Sequence, residues 1–105
     1  MSLIAVVTTT ASQAEARAIA KILVEKGLAA CVQISEIESV YLWKGELQQD
    51  KEYRVVAKST AENYQVVEKA IRDMHSYELP AIYAVPISLV FEPYAEWVKS
   101  NSRPG

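Results

Sequence analysis

The sequence predicts an α+β domain in which two helices cover one face of a four-stranded antiparallel sheet. Apolar residues form four strand-like segments, and they recur at helical spacing in a segment after the first strand and another after the third. Half of the 105 residues are hydrophobic and 23% are charged, which excludes a disordered chain and is typical of one folded domain spanning residues 1–105.

The first strand and helix have clear sequence signals. Leu3 to Thr9 is a β-branched apolar run, the pattern of a central strand covered on both faces. A capping box of sequence SQAE begins at Ser12, whose side chain should accept the Glu15 amide while the Glu15 side chain reaches back to the Ser12 amide. Gly27 can adopt the left-handed conformation that ends a helix, so helix one is predicted over residues 12–26.

A long hairpin is predicted next. Residues 29–43 and 46–59 form its arms, and Lys44-Gly45 forms a two-residue turn in which the glycine supplies a positive φ. The arms are about twice the usual strand length of five or six residues. The apolar positions change phase after Ser35-Glu36, so we expect a bulge or bend there.

The second half of the chain repeats the helix and strand pattern. A second capping signature, STAE, begins at Ser59 and precedes an apolar helical face that ends near Met74. The run from Pro80 to Leu89 is a strand that Pro86 interrupts, which places it at a sheet edge.

A short terminal helix is predicted to open with Pro93 as its first residue, and the tail from Ser100 to Gly105 is expected to fray. The resulting order, β-α-β-β-α-β plus a terminal helix, is the ferredoxin-like plan.

Composition excludes several functions. The net charge is −2 and no basic block exists, so nucleic-acid binding is not expected. The single cysteine, Cys31, cannot form an internal disulfide or an all-cysteine metal site within one chain. With one histidine and no glycine-rich phosphate loop or nucleophile motif, we expect no enzymatic activity.

The beginning of the chain carries no basic leader, and its apolar run is too short for a signal segment or a membrane span. We therefore expect a cytoplasmic protein without membrane contact.

The long hairpin indicates oligomerisation. Two helices cannot cover arms of about 14 residues at about 3.3 Å each, so the tip must project beyond them. The alternative is a flexible wing with exposed aromatic residues, but such an edge would invite aggregation, whereas a symmetric dimer or ring trimer would bury it. The expected interface consists of five aromatic residues: Tyr41, Trp43, Tyr53, Tyr94 and Trp97.

Five segments in order resemble the CutA family of divalent-cation tolerance proteins. They begin at Gly27 (GLAACV), Tyr41 (YLWKGE), Lys58 (KST), His75 (HSYELPAI) and Tyr94 (YAEW). The resemblance extends from Ile4 to Val98 and implies a homotrimer of ferredoxin-like protomers, similar in architecture to the PII signalling proteins.

The resemblance also implies tolerance to divalent cations, copper especially, with a suggested site of thiol, imidazole and carboxylate. The sequence departs from this pattern at Thr8, where some members carry cysteine, and at Arg54, where a carboxylate is found. His75, Cys31 and Glu78 are the remaining candidate donors for copper or another divalent metal ion, none bound tightly. The alternatives are structural: His75 would compensate the dipole of helix two, and Cys31 would be a small buried hydrophobe.

A ligand cleft between protomers is the second candidate site, built by His75, Trp43, Lys58, Tyr77 and Glu78. Pro80 restricts the preceding residue and so fixes how the Tyr77-Glu78 turn projects. The alternative is a rigid turn whose charges face solvent.

Three functions stay open at this point. The first is a homotrimeric copper-tolerance protein with weak or transient metal binding. The second is a PII-like trimeric sensor that binds a small anionic metabolite in the cleft and signals to an unidentified partner protein, and the third is a structural adaptor without a ligand.

Overall fold

The computed structural model describes residues 2–103. The strands are β1 (Leu3–Thr10), β2 (Cys31–Trp43), β3 (Glu46–Thr60) and β4 (Ile82–Ile87). The helices are α1 (Gln13–Glu25), α2 (Tyr64–Met74) and α3 (Glu92–Ser100), with a 3₁₀ turn at Ala61–Asn63 before α2. This order confirms the predicted α+β, ferredoxin-like plan.

The four strands form one sheet in the order β2-β3-β1-β4, and each neighbouring pair is antiparallel. β1 is central, as its continuous apolar sequence predicts. β4 is an edge strand and contains Pro86, which pairs with Ile4. The prediction that Pro86 marks an edge is confirmed, because a proline cannot donate to a second neighbour.

The main core lies between the sheet and helices α1 and α2. Ile19 and Leu23 of α1 and Val67 and Ile71 of α2 pack with Val6 of β1, and all five are at most 1% exposed. α3 packs on the opposite face, where Ala95 and Val98 contact Leu3. The two faces of β1 are thus covered by different helices.

The hairpin projects from this body. The chain extends 44 Å along its longest axis, and its radius of gyration is 14.2 Å, larger than the about 13 Å expected for a compact chain of this length. Lys44 (φ 52°) and Gly45 (φ 84°) form the predicted turn. Positive φ at both residues is the type I′ arrangement that suits a twisted hairpin.

The predicted bulge near Ser35-Glu36 is wrong. β2 and β3 pair in one unbroken register from Cys31 with Lys58 to Trp43 with Glu46. The apolar phase changes because different elements cover the two faces. Ile34 lies on the face that bears α1 and α2, whereas Ile37 pairs with Glu52 on the opposite face.

The first capping box forms only in part. The Ser12 hydroxyl accepts the Glu15 amide at 3.1 Å, as predicted. The Glu15 carboxylate instead accepts hydrogen bonds from the amide and hydroxyl of Ser76. Gly27 (φ 68°) ends α1 as predicted: its amide donates to Val24, and the Leu28 amide donates to Leu23, a Schellman motif.

The second capping box does not form. Ser59 is fully buried, and its hydroxyl donates to the Leu28 carbonyl at 2.7 Å, joining β3 to the turn after α1. Thr60 precedes the 3₁₀ turn without a side-chain capping bond. The Ser59 hydroxyl therefore forms a buried hydrogen bond to a distant segment instead of capping the helix that follows it.

The C-terminal tail differs from the prediction. α3 begins at Glu92, so Pro93 is its second residue rather than its first. Ser102 is only 3% exposed, and its carbonyl accepts the side-chain amide of Asn63 at 2.6 Å. The tail is thus docked through Ser102, and the last two residues of the predicted frayed segment, 104 and 105, lie outside the described residues.

No helix within residues 2–103 is long and apolar enough to cross a membrane.

Candidate functional site

A cavity of about 810 Å³ lies between the hairpin and the segment that joins α2 to β4. Tyr41 and Trp43 line it from β2, and Tyr83 lines it from β4. Glu52 of β3 and Tyr77 of the joining segment complete its polar surface. Tyr41, Glu52 and Tyr83 share the sheet face opposite α1 and α2, because cross-strand partners point to the same side.

Glu52 and Tyr77 form the most buried polar contact in this cavity. The Tyr77 hydroxyl donates to Glu52 Oε2 at 2.6 Å, and Glu52 is only 6% exposed. Burial, followed by the hydrogen bond to Glu52, raises the pKa of Tyr77 above its usual value of 10. Tyr77 is therefore a neutral phenol whose proton is committed to the carboxylate.

The rim of the cavity carries charged and aromatic groups. The Tyr41 hydroxyl donates to Asp50 Oδ2 at 2.8 Å, and this bond raises the pKa of Tyr41. Lys44 Nζ lies 3.9 Å from Glu78 Oε2 and 5.6 Å from the centre of the Trp43 ring. Both charged side chains are largely exposed, so this ion pair contributes little to stability.

His75 lies behind the cavity with both ring nitrogens engaged. Its side chain is fully buried, and Nε2 lies 2.8 Å from the Thr9 carbonyl oxygen. The Tyr77 amide donates to Nδ1 at 3.2 Å. A carbonyl can only accept and an amide can only donate, so these partners assign the neutral imidazole with its proton on Nε2.

These contacts fix the start of the joining segment. Glu15 of α1 accepts the Ser76 amide at 2.7 Å and its hydroxyl at 3.0 Å, while His75 holds Thr9 of β1. The Tyr77 ring therefore has a defined position against His75, with 5.0 Å between the ring centres. Neither nitrogen of His75 is free to bind a metal ion in this arrangement.

The three predicted metal donors do not meet within one chain. Cys31 pairs with Lys58, which pairs with Ala5 of β1. His75 contacts Thr9, which lies four residues beyond Ala5 on β1. At 3.3 Å per residue, Thr9 and Ala5 are about 13 Å apart along the strand. Within residues 2–103, no three His, Cys, Asp or Glu side chains are grouped so that they could hold a metal ion.

The predicted cleft residues meet in part. Trp43, Tyr77 and Glu78 line the same cavity within one chain, whereas a cleft between protomers stays a prediction. Lys58 lies near the other end of the sheet, where its Nζ is 3.3 Å from Gln33 Oε1 and 6.0 Å from the centre of the Tyr94 ring.

The predicted interface residues occupy three surfaces. Tyr41 and Trp43 lie on one face of the hairpin, whereas Tyr53 pairs with Glu36 on the other face. Tyr94 and Trp97 of α3 stack with ring centres 5.9 Å apart. Tyr41, Trp43 and Trp97 are each more than one-third exposed.

Sequence reasoning missed Glu52, Glu15 and Tyr83 as site residues. The register of the hairpin carries a signal for Glu52, because pairing around Lys44-Gly45 places it opposite Ile37, on the face of Tyr41. Nothing in the local sequence joins Glu15 to Ser76, since the two residues are 61 positions apart.

Comparison with known proteins identifies the family. The model of the family "CutA1 divalent ion tolerance protein" matches residues 4–101. The divalent-cation tolerance protein CutA of Thermotoga maritima is 36% identical over 99 residues, which cover 94% of this chain and 98% of that protein. The Thermus thermophilus CutA protein is 37% identical over 98 residues, covering 92% and 95% of the two chains.

Solved structures agree with the sequence comparisons. The periplasmic divalent cation tolerance protein CutA of Archaeoglobus fulgidus is 34% identical, with a TM-score of 0.93 over 96% of this chain and 99% of that one. CutA1 of Oryza sativa is 30% identical, with a TM-score of 0.94 over 100% of this chain and 97% of that one. Sequence and fold together show that this chain belongs to the CutA1 family of divalent ion tolerance proteins.

Proposed function

We propose that this chain acts as a non-enzymatic homotrimer that contributes to tolerance of divalent cations, copper among them, through weak or transient metal binding. Family membership supports the tolerance function, since the matching family and its relatives carry that description. The observation that carries the assembly is the amount of apolar surface that one chain leaves uncovered.

The distal hairpin is apolar on both faces. Val40, Leu42 and Leu47 share one face and are 60%, 71% and 71% exposed, while Tyr41 and Trp43 lie on the other. A two-stranded tip is only marginally stable in water unless another surface packs against it. Copies related by symmetry would supply that surface to every tip at once.

The sheet face opposite α1 and α2 is also uncovered near β4. Tyr83 and Val85 are 51% and 47% exposed on this face, and they pair with Val7 and Ala5 of β1. An apolar face beside an unpaired edge strand favours association with another copy. A homotrimer would bury this face and the hairpin tips together.

The burial of His75 supports weak rather than tight metal binding. A metal ion can use the imidazole only after it releases the Thr9 carbonyl or the Tyr77 amide. Cys31 and Glu78 would join such a site from different copies, because they lie far apart within one chain. Loss of one of these part-buried hydrogen bonds opposes the metal–nitrogen bond and lowers the affinity.

Copper titration of single-site variants tests this proposal. We expect the wild type to bind Cu²⁺ weakly by calorimetry, and His75→Gln, Cys31→Ser and Glu78→Gln each to weaken the binding. Gln at residue 75 retains one donor and one acceptor for Thr9 and Tyr77, so the fold should persist. Isotherms of all three variants identical to that of the wild type would contradict the assigned donors.

We also propose a cytoplasmic location, which the absence of an internal disulfide in this one-cysteine chain supports. The Archaeoglobus fulgidus relative is described as periplasmic, so cell fractionation with a periplasmic marker is the deciding measurement.

The charge of the cavity argues against the second candidate, a sensor of a small anionic metabolite. Glu52 and Glu78 line the cavity, and none of the described lining residues is Lys or Arg. The two carboxylates would repel an anion there, and the nearby Lys44 ammonium at the rim already lies 3.9 Å from Glu78.

A further inference from the structure

The imidazole of His75 is held in the way that is typical of a metal-ligating histidine. Its Nε2–H donates to the Thr9 carbonyl oxygen at 2.8 Å. Histidines that bind metal ions commonly donate their other ring N–H to a backbone carbonyl or a carboxylate, which fixes the tautomer and the ring orientation. Nδ1 is therefore the nitrogen of His75 whose lone pair a metal ion can use.

The present partner of Nδ1 is the Tyr77 amide, which donates to it at 3.2 Å, the long end of the hydrogen-bond range. Tyr77 belongs to residues 75–81, which join α2 to β4 without a helix or strand. Irregular segments open at a lower free-energy cost than helices and strands of the core. A metal ion can thus displace this amide while Thr9 still holds Nε2.

Glu15 places a carboxylate beside the same nitrogen. Glu15 Oε2 lies 3.9 Å from His75 Nδ1. A divalent metal ion binds imidazole nitrogen and carboxylate oxygen at about 2 Å, so two donors of one ion lie about 3 to 4 Å apart. The observed separation fits two donors of a single ion.

The charge and hydrogen bonds of Glu15 also suit a cation. Its side chain is only 16% exposed, and within residues 2–103 it forms no ion pair with a lysine or arginine. Ser76 donates two hydrogen bonds to the carboxylate, at 2.7 and 3.0 Å, whereas a carboxylate has about four acceptor positions. A nearly buried negative charge with further lone pairs favours a positive ligand.

We propose that Glu15 and His75 Nδ1 form a Cu²⁺-binding pair within one chain, with water as the remaining ligands. Imidazole and carboxylate donors suit first-row transition metals, among which Cu²⁺ binds most tightly. Two protein donors, fewer than the three or four of tight sites, give weak binding. The proposal rests on the proposed metal function and assigns to it a carboxylate from α1.

The pair needs no residue of a second copy. Glu15 lies in the first turn of α1, and α1 covers the sheet face opposite the one that we expect copies to bury. The side chain of His75 is already fully buried within one chain. Assembly therefore leaves the two donors as they are.

Copper titration of charge-matched variants tests the carboxylate. Glu15→Gln keeps an acceptor for Ser76 but removes the charge, and we expect it to weaken Cu²⁺ binding by at least about 10-fold, the smallest usual cost of losing even an outer-shell partner. Glu25→Gln makes the same change at the exposed far end of α1 and should leave the affinity unchanged. Ser76→Ala removes one hydrogen bond to Glu15 but not the carboxylate, so it should also leave the affinity unchanged.

The outcomes separate this proposal from the metal function on which it rests. Unchanged affinity in Glu15→Gln, or equal weakening in Glu15→Gln and either other variant, would overturn the pair while copper binding by the wild type stands. Wild-type protein that binds no Cu²⁺ through the millimolar range would overturn both.

A zinc titration followed by NMR tests which nitrogen binds, and it requires no variant. His75 is the only histidine, so the resonances of its ring nitrogens are unambiguous. We expect Zn²⁺, a diamagnetic ion that uses the same donors, to shift Nδ1 and the Tyr77 amide while Nε2 keeps its proton and its bond to Thr9. Loss of the Nε2 proton, or a bound ion that leaves Nδ1 unshifted, would overturn the proposal.

Discussion

At the scale of single residues, the sequence predicts hydrogen bonds of hydroxyl groups when the partner is local, and it does not predict them when the partner is distant along the chain. The local bond from Ser12 to the Glu15 amide was predictable because its partners are three residues apart. The hydroxyl of Ser59 was assigned to a similar cap, but it donates to Leu28, 31 positions away. A long-range partner of this kind leaves no periodic signal in the sequence.

Thr8 offers a stability test at this scale. Its hydroxyl is fully buried and has no hydrogen-bond partner among the described residues, so it pays a desolvation penalty without compensation. We expect Thr8→Val, which keeps the shape, to raise the free energy of unfolding by about 1 kcal/mol in urea denaturation.

Thr10 is the matched control for Thr8, because it is equally buried on the same strand and its hydroxyl donates to the Ser12 carbonyl at 2.8 Å. Thr10→Val should lower the free energy of unfolding by about 1 kcal/mol. Stabilisation of both variants, or of neither, would show that hydrogen-bond satisfaction does not decide their effects.

At the scale of elements, the Lys44-Gly45 turn sequence predicted the hairpin. The register between β2 and β3 determines which side chains lie on each face of it. The Lys44-Gly45 turn and the long arms followed from glycine placement and strand-like sequence. The phase change near Ser35 suggested a bulge because covering elements cannot be seen in the sequence. The same limit hid the position of Tyr53, which lies on the face opposite Tyr41.

The turn itself can be tested by substitution at its two central residues. A Cβ at Gly45 would meet nothing within 4 Å, so Gly45→Ala changes only the backbone preference at φ 84°. We expect it to lower the free energy of unfolding by about 1 kcal/mol. Lys44→Asn should raise it slightly, because Asn tolerates a positive φ better than Lys; the opposite order in thermal denaturation would contradict the type I′ assignment.

The docked tail gives a second test at the element scale. Asn63 donates to the Ser102 carbonyl at 2.6 Å and to the Ser59 hydroxyl at 3.2 Å, joining the start of α2 to the tail and β3. Asn63→Ala should lower the free energy of unfolding by about 2 kcal/mol, since it leaves buried partners unpaired. The exposed side chain of Asn101 donates to the Trp97 carbonyl at 2.9 Å, and Asn101→Ala should lower the free energy of unfolding by less; equal losses would argue against a docked tail.

At the scale of the whole molecule, the order and length of the predicted elements, rather than composition alone, indicated more apolar surface than one chain can cover. The prediction rested on two helices and a hairpin too long for them, and the structure leaves Leu42 and Leu47 71% exposed. The position of the cavity was harder to predict, because it requires the joining segment to reach Glu52 across the end of the sheet.

Introducing a charged residue on the uncovered sheet face tests whether this face forms the interface between copies. Val85 on β4 and Val24 on α1 are similarly exposed, at 47% and 45%. We expect Val85→Lys to lower the assembled mass and Val24→Lys to leave it unchanged, because only Val85 lies on the face opposite α1 and α2. Assembly unaffected by Val85→Lys would exclude this face from the interface.

The central claim is that the functional unit is three copies of the chain, and sedimentation equilibrium of the wild-type protein tests it most directly. The account predicts a single species with three times the 11.7 kDa chain mass at micromolar concentration. A stable 11.7 kDa monomer under the same conditions would contradict it.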